Sequence, residues 1–290
     1  MRNDRYIIYM KAALFAVIAF IASGCVERDL LERELPSEGL LRVNFSWPEE
    51  CDVPGARIWL CATDGTPLAD ELCDAVDHEF MIAQGIYSLR TVNTGLINAD
   101  CIGSDIVRAR TDNGKGILMN VGKVYCAGAD NIVVKAGDQP TEVTLCPKNA
   151  VRTIRFELDT ESVGAFEAME LRLSGIVPSV RVSDGGDVGE PTGDAGATVK
   201  TEGRTVSATS HTAEMSVFGW RGENVLTATV HRADGSVETS VPQEIDDLLD
   251  KFSESGVPVH ITLRMPDGGE IGLSVTVSAW QSGTGSGTVG

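Results

Sequence analysis

The stretch Gly39-Leu40-Leu41-Arg42-Val43-Asn44-Phe45-Ser46-Trp47 (GLLRVNFSW) carries the pattern that decides the fold. Leu41, Val43, Phe45 and Trp47 alternate with Arg42, Asn44 and Ser46. In an extended chain successive side chains point to opposite faces, so this period of two predicts a strand with one face buried and one in water. Pro48 ends it.

The same grammar repeats at residues 57–62, 79–83, 87–92, 105–110, 117–121, 132–135 and 141–145, separated by turn signals such as Asp64-Gly65 and Asn113-Gly114. A second round predicts strands at 151–158, 169–174, 179–182, 198–209 (broken at Gly203), 213–218, 225–231, 236–240, 259–264 and 270–279. In the last of these, Ile271, Leu273, Val275, Val277 and Ala279 alternate with Gly272, Ser274, Thr276 and Ser278. Short strands at this spacing predict an all-β chain built as a sandwich or barrel. One helix is expected within it, at 242–254, where Ile245, Leu248, Leu249 and Phe252 share a face and Gly256 closes the pattern. Cys146-Pro147-Lys148-Asn149 marks the expected boundary, giving domains at 39–148 and 149–280. The Gly-rich stretches 184–197 and 281–290 hold few apolar groups to offset ordering entropy, and both are expected to be mobile.

Ahead of the first strand, residues 12–26 read AALFAVIAFIASGCV. Arg2, Arg5 and Lys11 form a positive start, an apolar run follows, and Ala22, Ser23 and Gly24 are small enough for a peptidase to reach the backbone. The pattern predicts a lipoprotein signal at 1–24, cleaved between Gly24 and Cys25, with Cys25 acylated as the new N-terminus. The run is shorter than the 18 or so residues that a spanning helix requires. Residues 25–38, charged and interrupted by Pro36, read as a tether that lifts the folded part from the bilayer.

The full chain holds 24 Lys plus Arg against 42 Asp plus Glu. Removing the signal, with Arg2, Arg5, Lys11 and Asp4, leaves 21 against 41, a net charge of −20. Such a surface keeps an exported protein soluble and excludes nucleic acid, which needs clustered cations. Apart from Cys25 there are six cysteines, Cys51, Cys61, Cys73, Cys101, Cys126 and Cys146. An even set in an exported chain fits up to three disulfides, and equally fits free cysteines used as small apolar residues.

Catalytic and metal patterns are missing. His78, His211, His231 and His260 stand singly, and the sequence holds no HExxH, GxSxG or CxxC. Asp184, Asp187, Glu190 and Asp194 share one loop and could offer oxygens to calcium, but their spacing fits no EF-hand and a solvated loop is the favoured reading. No enzyme activity, cofactor or metal is expected.

Taken in order along the chain, these features resemble the anchor-subunit family of Bacteroidales fimbriae and the related fimbrillin-like lipoproteins. The resemblance rests on Cys25 with Glu27 and Asp29, Gly39 to Trp47, Gly85-Ile86-Tyr87, Val92-Asn93-Thr94, Val124-Tyr125 ahead of Asn131 to Val134, Leu173-Ser174-Gly175, Asp234-Gly235, and Gly268-Gly269 leading to Trp280. It implies two tandem transthyretin-like β-sandwiches, a lipid anchor on Cys25 in the outer membrane facing the cell surface, and adhesion through pilin-like subunits joined by an exchanged strand. The strand exchanged would be the N-terminal tether or residues 270–279. The six cysteines and the helix after Pro242 depart from that pattern. A glycan-binding surface lipoprotein is the alternative, although four Trp and four Tyr are a thin supply of sugar platforms.

Overall fold

The computed structural model describes residues 37–49, 51, 55–160, 163, 165–191, 193–200, 210–250, 259–264 and 274–277. The expected signal, Cys25, most of the expected tether and residues 278–290 lie outside them, as do parts of the strands expected at 198–209 and 270–279.

The described chain is all-β with one short helix. Its first ten strands are β1 (Glu38–Phe45), β2 (Ala56–Cys61), β3 (Pro67–Cys73), β4 (Asp77–Ala83), β5 (Gly85–Asn93), β6 (Ala99–Ile102), β7 (Ile106–Ala109), β8 (Tyr125–Val134), β9 (Gly137–Leu145) and β10 (Lys148–Asn149). There follow β11 (Arg152–Asp159), β12 (Ala168–Ile176), β13 (Ser179–Arg181), β14 (Asp187–Val188), β15 (Gly193–Lys200), β16 (Ser210–Val217), β17 (Val225–His231), β18 (Val237–Thr239), β19 (Gln243–Glu244), helix α1 (Asp246–Asp250), β20 (Val259–Arg264) and β21 (Ser274–Val277).

In the first sandwich the sheet β4-β1-β9 faces the sheet β10-β8-β5-β2-β3. Leu41 and Val43, fully buried, meet Ile58, Leu60, Phe80, Leu89 and Leu145 between them. The alternation read in β1 is therefore the inward face of this sandwich. The second sandwich sets β16-β11-β20-β21 against β15-β12-β17-β18, with β19 also on β17. Ile154, Phe156, Leu158, Leu171, Leu173, Met215 and Leu226 fill it.

The two sandwiches repeat one topology. β1 lies antiparallel to β4 and parallel to β9; β11 lies antiparallel to β16 and parallel to β20. In the opposing sheets, β2 joins β3 and β5, and β5 joins β8; likewise β12 joins β15 and β17, and β17 joins β18.

Each copy carries an insertion at a different place, and the two insertions pair with one another. β6 and β7 lie between β5 and β8, β13 and β14 lie between β12 and β15, and together they form the sheet β14-β13-β7-β6. Val107 stands opposite Val180 at its centre, both with no exposed surface. This shared sheet covers the outer face of β2, where Trp59 and Cys61 are 2 % exposed, and joins them to the second core. β2 is thus buried on both faces, Ile58 and Leu60 toward one core and Trp59 and Cys61 toward the other.

Several expectations are corrected here. The stretch 184–197, expected to be a mobile loop, contains β14 and most of β15. Its small residues are there because another segment lies against them: Ala195 is fully buried, and a Cβ on Gly193 would stand 2.3 Å from Leu118 Cδ1. The segment 117–121, expected to be a strand, makes only the isolated bridges Thr111↔Leu118 and Leu118↔Ala195. β3 and β6 were not expected. The helix expected at 242–254 starts later, at Asp246, with Leu249 buried, because Gln243–Glu244 pair with β17 as β19; residues 251–258 lie outside the described residues.

Candidate assembly surface

Gly24 and Cys25 lie outside the described residues, so the structure adds nothing to the reading of the acylation site. The six remaining cysteines, Cys51, Cys61, Cys73, Cys101, Cys126 and Cys146, are all free thiols, and the disulfide framework is absent from this structure. Cys61 and Cys126 are buried as small apolar groups. Burial raises the thiols of Cys61 and Cys101, pushes that of Cys73 up to about 11 and that of Cys126 to about 12. A thiol held protonated in this way is a poor nucleophile.

The acidic loop does not converge on a point. Asp184 accepts from Arg181 at 2.8 Å, Asp187 faces Arg221 at 3.8 Å, and Asp194 pairs with Arg172. Three arginines thus draw these carboxylates apart, and among the described residues no group of three His, Cys, Asp or Glu side chains is placed to hold a metal. The histidines are likewise dispersed: His78 contacts Glu71 at 2.9 Å and Phe80 edge-on, while His211 packs against Phe166. Among the described residues the aromatic groups are enclosed rather than displayed. Trp59 and Trp220 are buried, and Trp47 stacks on Phe45 while donating through Nε1 to Ala75 O at 2.7 Å.

What the first sandwich does display is edges. β3 ends its sheet and β4 ends the opposing one, on the same side of the sandwich. The hairpin that makes β3 turns at Gly65, where φ is +84°, with Asp64 Oδ1 accepting the Thr66 N–H at 2.9 Å. Arg57 on β2 grips Asp70 on β3 with two hydrogen bonds, at 2.8 and 2.7 Å, which holds the Asp70 carboxyl below its ordinary range. β3 itself is hardly buried: Leu68 is 57 % and Leu72 74 % exposed. Val76 in the following turn and Met81 on β4 are 72 % and 64 % exposed. Leu72, paired with Arg57, points away from the core on the outer face of one sheet, and Met81, paired with Leu40, does so on the outer face of the opposing sheet, so these apolar side chains are displayed on different faces beside the two edges. Among the described residues nothing pairs with the outer edge of β3, of β4 or of β9.

Compared with solved structures, the chain aligns along nearly the whole length of several proteins. A candidate adhesin from Bacteroides ovatus matches with a TM-score of 0.66 at 13% identity, over 87% of this chain and 97% of that one. The fimbrial anchor protein Mfa2 from Porphyromonas gingivalis matches with a TM-score of 0.58 at 15% identity, over 83% and 97%. This chain has the fold of that group of Bacteroidales surface proteins. Candidate polysaccharide-binding proteins from Bacteroides thetaiotaomicron share it too, with a TM-score of 0.57 at 11% identity, over 84% and 99%. No protein-family model matches the sequence, and neither does any curated protein. The fold class expected from period-two patterning and from the resemblance is the one observed.

Proposed function

We propose that this chain is a lipid-anchored protein of the outer membrane, exposed at the cell surface, that serves as a fimbrial anchor or accessory subunit in adhesion. The observation that carries the reading is the fold it shares with the fimbrial anchor Mfa2 over 83% of its length, set behind a cysteine placed for acylation. One acyl chain attaches a protein only marginally, whereas the two or three of a bacterial lipoprotein cysteine hold it lastingly, at about 0.8 kcal/mol per buried CH₂. Assembly with pilin-like subunits proceeds by strand exchange in this reading. A donated strand satisfies the unpaired backbone groups of an edge and places alternate side chains in the core. β21, paired with β20 at the end of its sheet, lies within the expected exchange segment 270–279.

The test is co-purification. Full-length protein solubilised from the outer membrane should bring down pilin-like subunits, and Cys25→Ala should move it to the soluble fraction. Retention of Cys25→Ala in the membrane with an unprocessed N-terminus would contradict the lipid anchor, and the absence of pilin-like subunits would contradict the fimbrial role.

A second reading, binding to glycans, is favoured by one feature. A cleft of about 680 Å³ between the 110–120 insertion and the outer face of β12 and β17 is lined by Asn98, Asn120, Glu170, Arg172, Thr227 and Thr229. Its lining is polar and lacks aromatic platforms, so a glycan-array signal lost on Thr227→Val would be needed to prefer it.

A further inference from the structure

The strand registers fix the point at which the chain from Cys25 enters the fold. β1 begins at Glu38, opposite Ala83 at the end of β4, and Gln84 N–H donates to Ser37 O at 3.0 Å. At the same pole of the sandwich β5 begins beside the end of β8, with Gly85 opposite Val134, and β9 begins at Gly137 beside Gly39. At the other pole β10 lies on Tyr125 and Cys126, and the chain passes on into β11. The 12 residues from Val26 to Ser37 therefore join the first sandwich at the end away from the linker to the second.

The chain that turns beside this entry point carries no charge. Phe80 to Leu89 (FMIAQGIYSL) holds no acidic, basic or histidine residue, although 23% of the chain is charged. Uncharged groups can enter a bilayer interface without the cost of desolvating an ion. Large apolar side chains stand exposed at the same place. Ile86 and Val133 face one another across β5 and β8, on the side away from Tyr87, Ile132 and Val134, and are 49 % and 53 % exposed. Met81 projects from the outer face of the opposing sheet. Ile86 and Val133 lie one residue from their strand ends and Met81 lies two. At about 3.3 Å per residue all three fall within about 7 Å of the tip, inside the roughly 5–10 Å to which apolar side chains enter the headgroup zone. Tyr87 closes the tip, its hydroxyl donating to Ala83 O at 2.8 Å, and a ring with one polar end suits the same zone. The described charges around the tip are Glu38, Asp64 and Lys135, so nothing there favours an anionic surface.

We infer that this pole of the first sandwich rests on the bilayer, with Met81, Ile86 and Val133 in the headgroup zone of a zwitterionic phospholipid surface. Three side chains are too few to hold a free protein on a membrane. A tether of 12 residues makes the encounter intramolecular, however, and a weak contact then persists. The contact stands the first sandwich on its end, with the linker to the second at the far pole. The inference rests on the reading of Cys25 as acylated, which brings the bilayer to this point.

The experiment reconstitutes the full mature chain, purified from membranes, into phosphatidylcholine vesicles whose acyl chains are either plain or brominated near the headgroup. Met81→Trp, Ile86→Trp and Val133→Trp are made singly, with Val237→Trp, an exposed position on the second sandwich, as reference. Bromine quenches a tryptophan that it touches, and each variant is read as the emission it adds to that of the parent protein. All four positions are exposed, and an unchanged melting temperature checks each fold. The three pole variants are expected to lose at least half of their added emission in brominated vesicles, while Val237→Trp keeps nearly all of its own. Ile86→Asp combined with Val133→Asp should restore the emission of Met81→Trp, and phosphatidylglycerol in the vesicles should weaken the quenching. Equal emission of Ile86→Trp in plain and brominated vesicles, or equal quenching of Val237→Trp, would overturn the contact. An Ile86→Trp emission already shifted to the blue in the Cys25→Ala chain in buffer would overturn it too, because the tether or a second copy would then cover the pole. Mass spectrometry of the N-terminus separates the contact from the anchor. Acylated Cys25 without quenching refutes the contact alone. Unmodified Cys25, with Ile86→Trp quenched on addition to the same vesicles, refutes the anchor and keeps the contact, and unmodified Cys25 without quenching refutes both.

Discussion

Val107→Ala tests whether the shared sheet makes one folding unit of two sandwiches. Val107 has no exposed surface and lies opposite Val180, also fully buried, on the seam where the two insertions pair. Removing two methyl groups costs about 0.8 kcal/mol each in transfer, and the cavity left behind brings the total to about 2 kcal/mol. Spread over a unit of some 250 residues, that lowers the melting temperature by roughly 4 to 8 °C. Differential scanning calorimetry should show one transition before and after the change, moved as a whole. Val180→Ala should do the same, and the double variant should fall short of the sum by about 0.5 kcal/mol or more, because neighbouring residues share one cavity. Two resolved transitions in the unmodified protein, or a Val107→Ala shift confined to one of two peaks, would refute the reasoning: the sandwiches would then unfold separately despite their joint core.

Gly175→Ala should destabilise by roughly 2 to 4 kcal/mol, since alanine at a positive φ is strained and a buried amide loses its partners. Gly175 sits at φ +73°, and its Cβ would stand 2.4 Å from Asn224 Nδ2, which donates to Ser174 O and Gly175 O; urea unfolding measures the loss. Cys73 and Cys126, with thiols raised to about 11 and about 12, should resist a thiol reagent at pH 8 in the folded protein and react at once in denaturant, with gel mobility unchanged by reductant. The carboxyls of Asp70, Asp100 and Asp130 are held low by hydrogen bonds from Arg57, Arg110 and Arg90. Their folded values lie below the unfolded one, so their contribution is present above about pH 4 and lost as pH falls further. Thermal unfolding should accordingly be flat from pH 8 to pH 5 and decline only in acid, with Asp130→Asn blunting the decline; an onset between pH 7 and pH 5 would contradict these ion pairs.

How far the sequence could be read depended on what holds each strand. β17 was predicted with its observed ends, Val225 and His231, because one face meets the core and the other meets water, so burial wrote a period of two. β2, expected at 57–62, is observed at Ala56–Cys61, but which way its side chains point was not legible, since Trp59 and Cys61 face the shared sheet while Ile58 and Leu60 face the first core, and double burial leaves no polar face. β3 escaped notice for the opposite reason. It is held by backbone pairing to β2 and by Arg57–Asp70, and a strand kept by hydrogen bonds at an edge has little need of an apolar pattern. The glycines and alanines of 193–197 resemble a flexible loop in composition, yet they are what a close-packed neighbour requires. Leu72 and Met81 were legible as apolar residues, but their exposure follows from registers that turn them to the outer faces of the two sheets, where the shared sheet does not cover them. The extent of that cover is set by two distant insertions that pair with one another.

The repeat makes the difference between the two sandwiches informative. Both have the same strand connections, so both begin with the same vulnerable edges, and bare edges invite pairing with other chains. In the second, β21 lies on β20 and residues 115–121 cross β15 and β16. In the first, β9, β3 and β4 have no such cover among the described residues. β9 carries Pro140, which cannot donate to a new neighbour and so blunts that edge, while β3 and β4 carry exposed leucine and methionine. Among the described residues the chain thus covers the edges of one copy of the fold with its own segments and leaves those of the other bare. On the proposed acylation at Cys25, the 12 residues from Val26 to Ser37 reach at most about 43 Å when fully extended, so β1 would start within that distance of the bilayer.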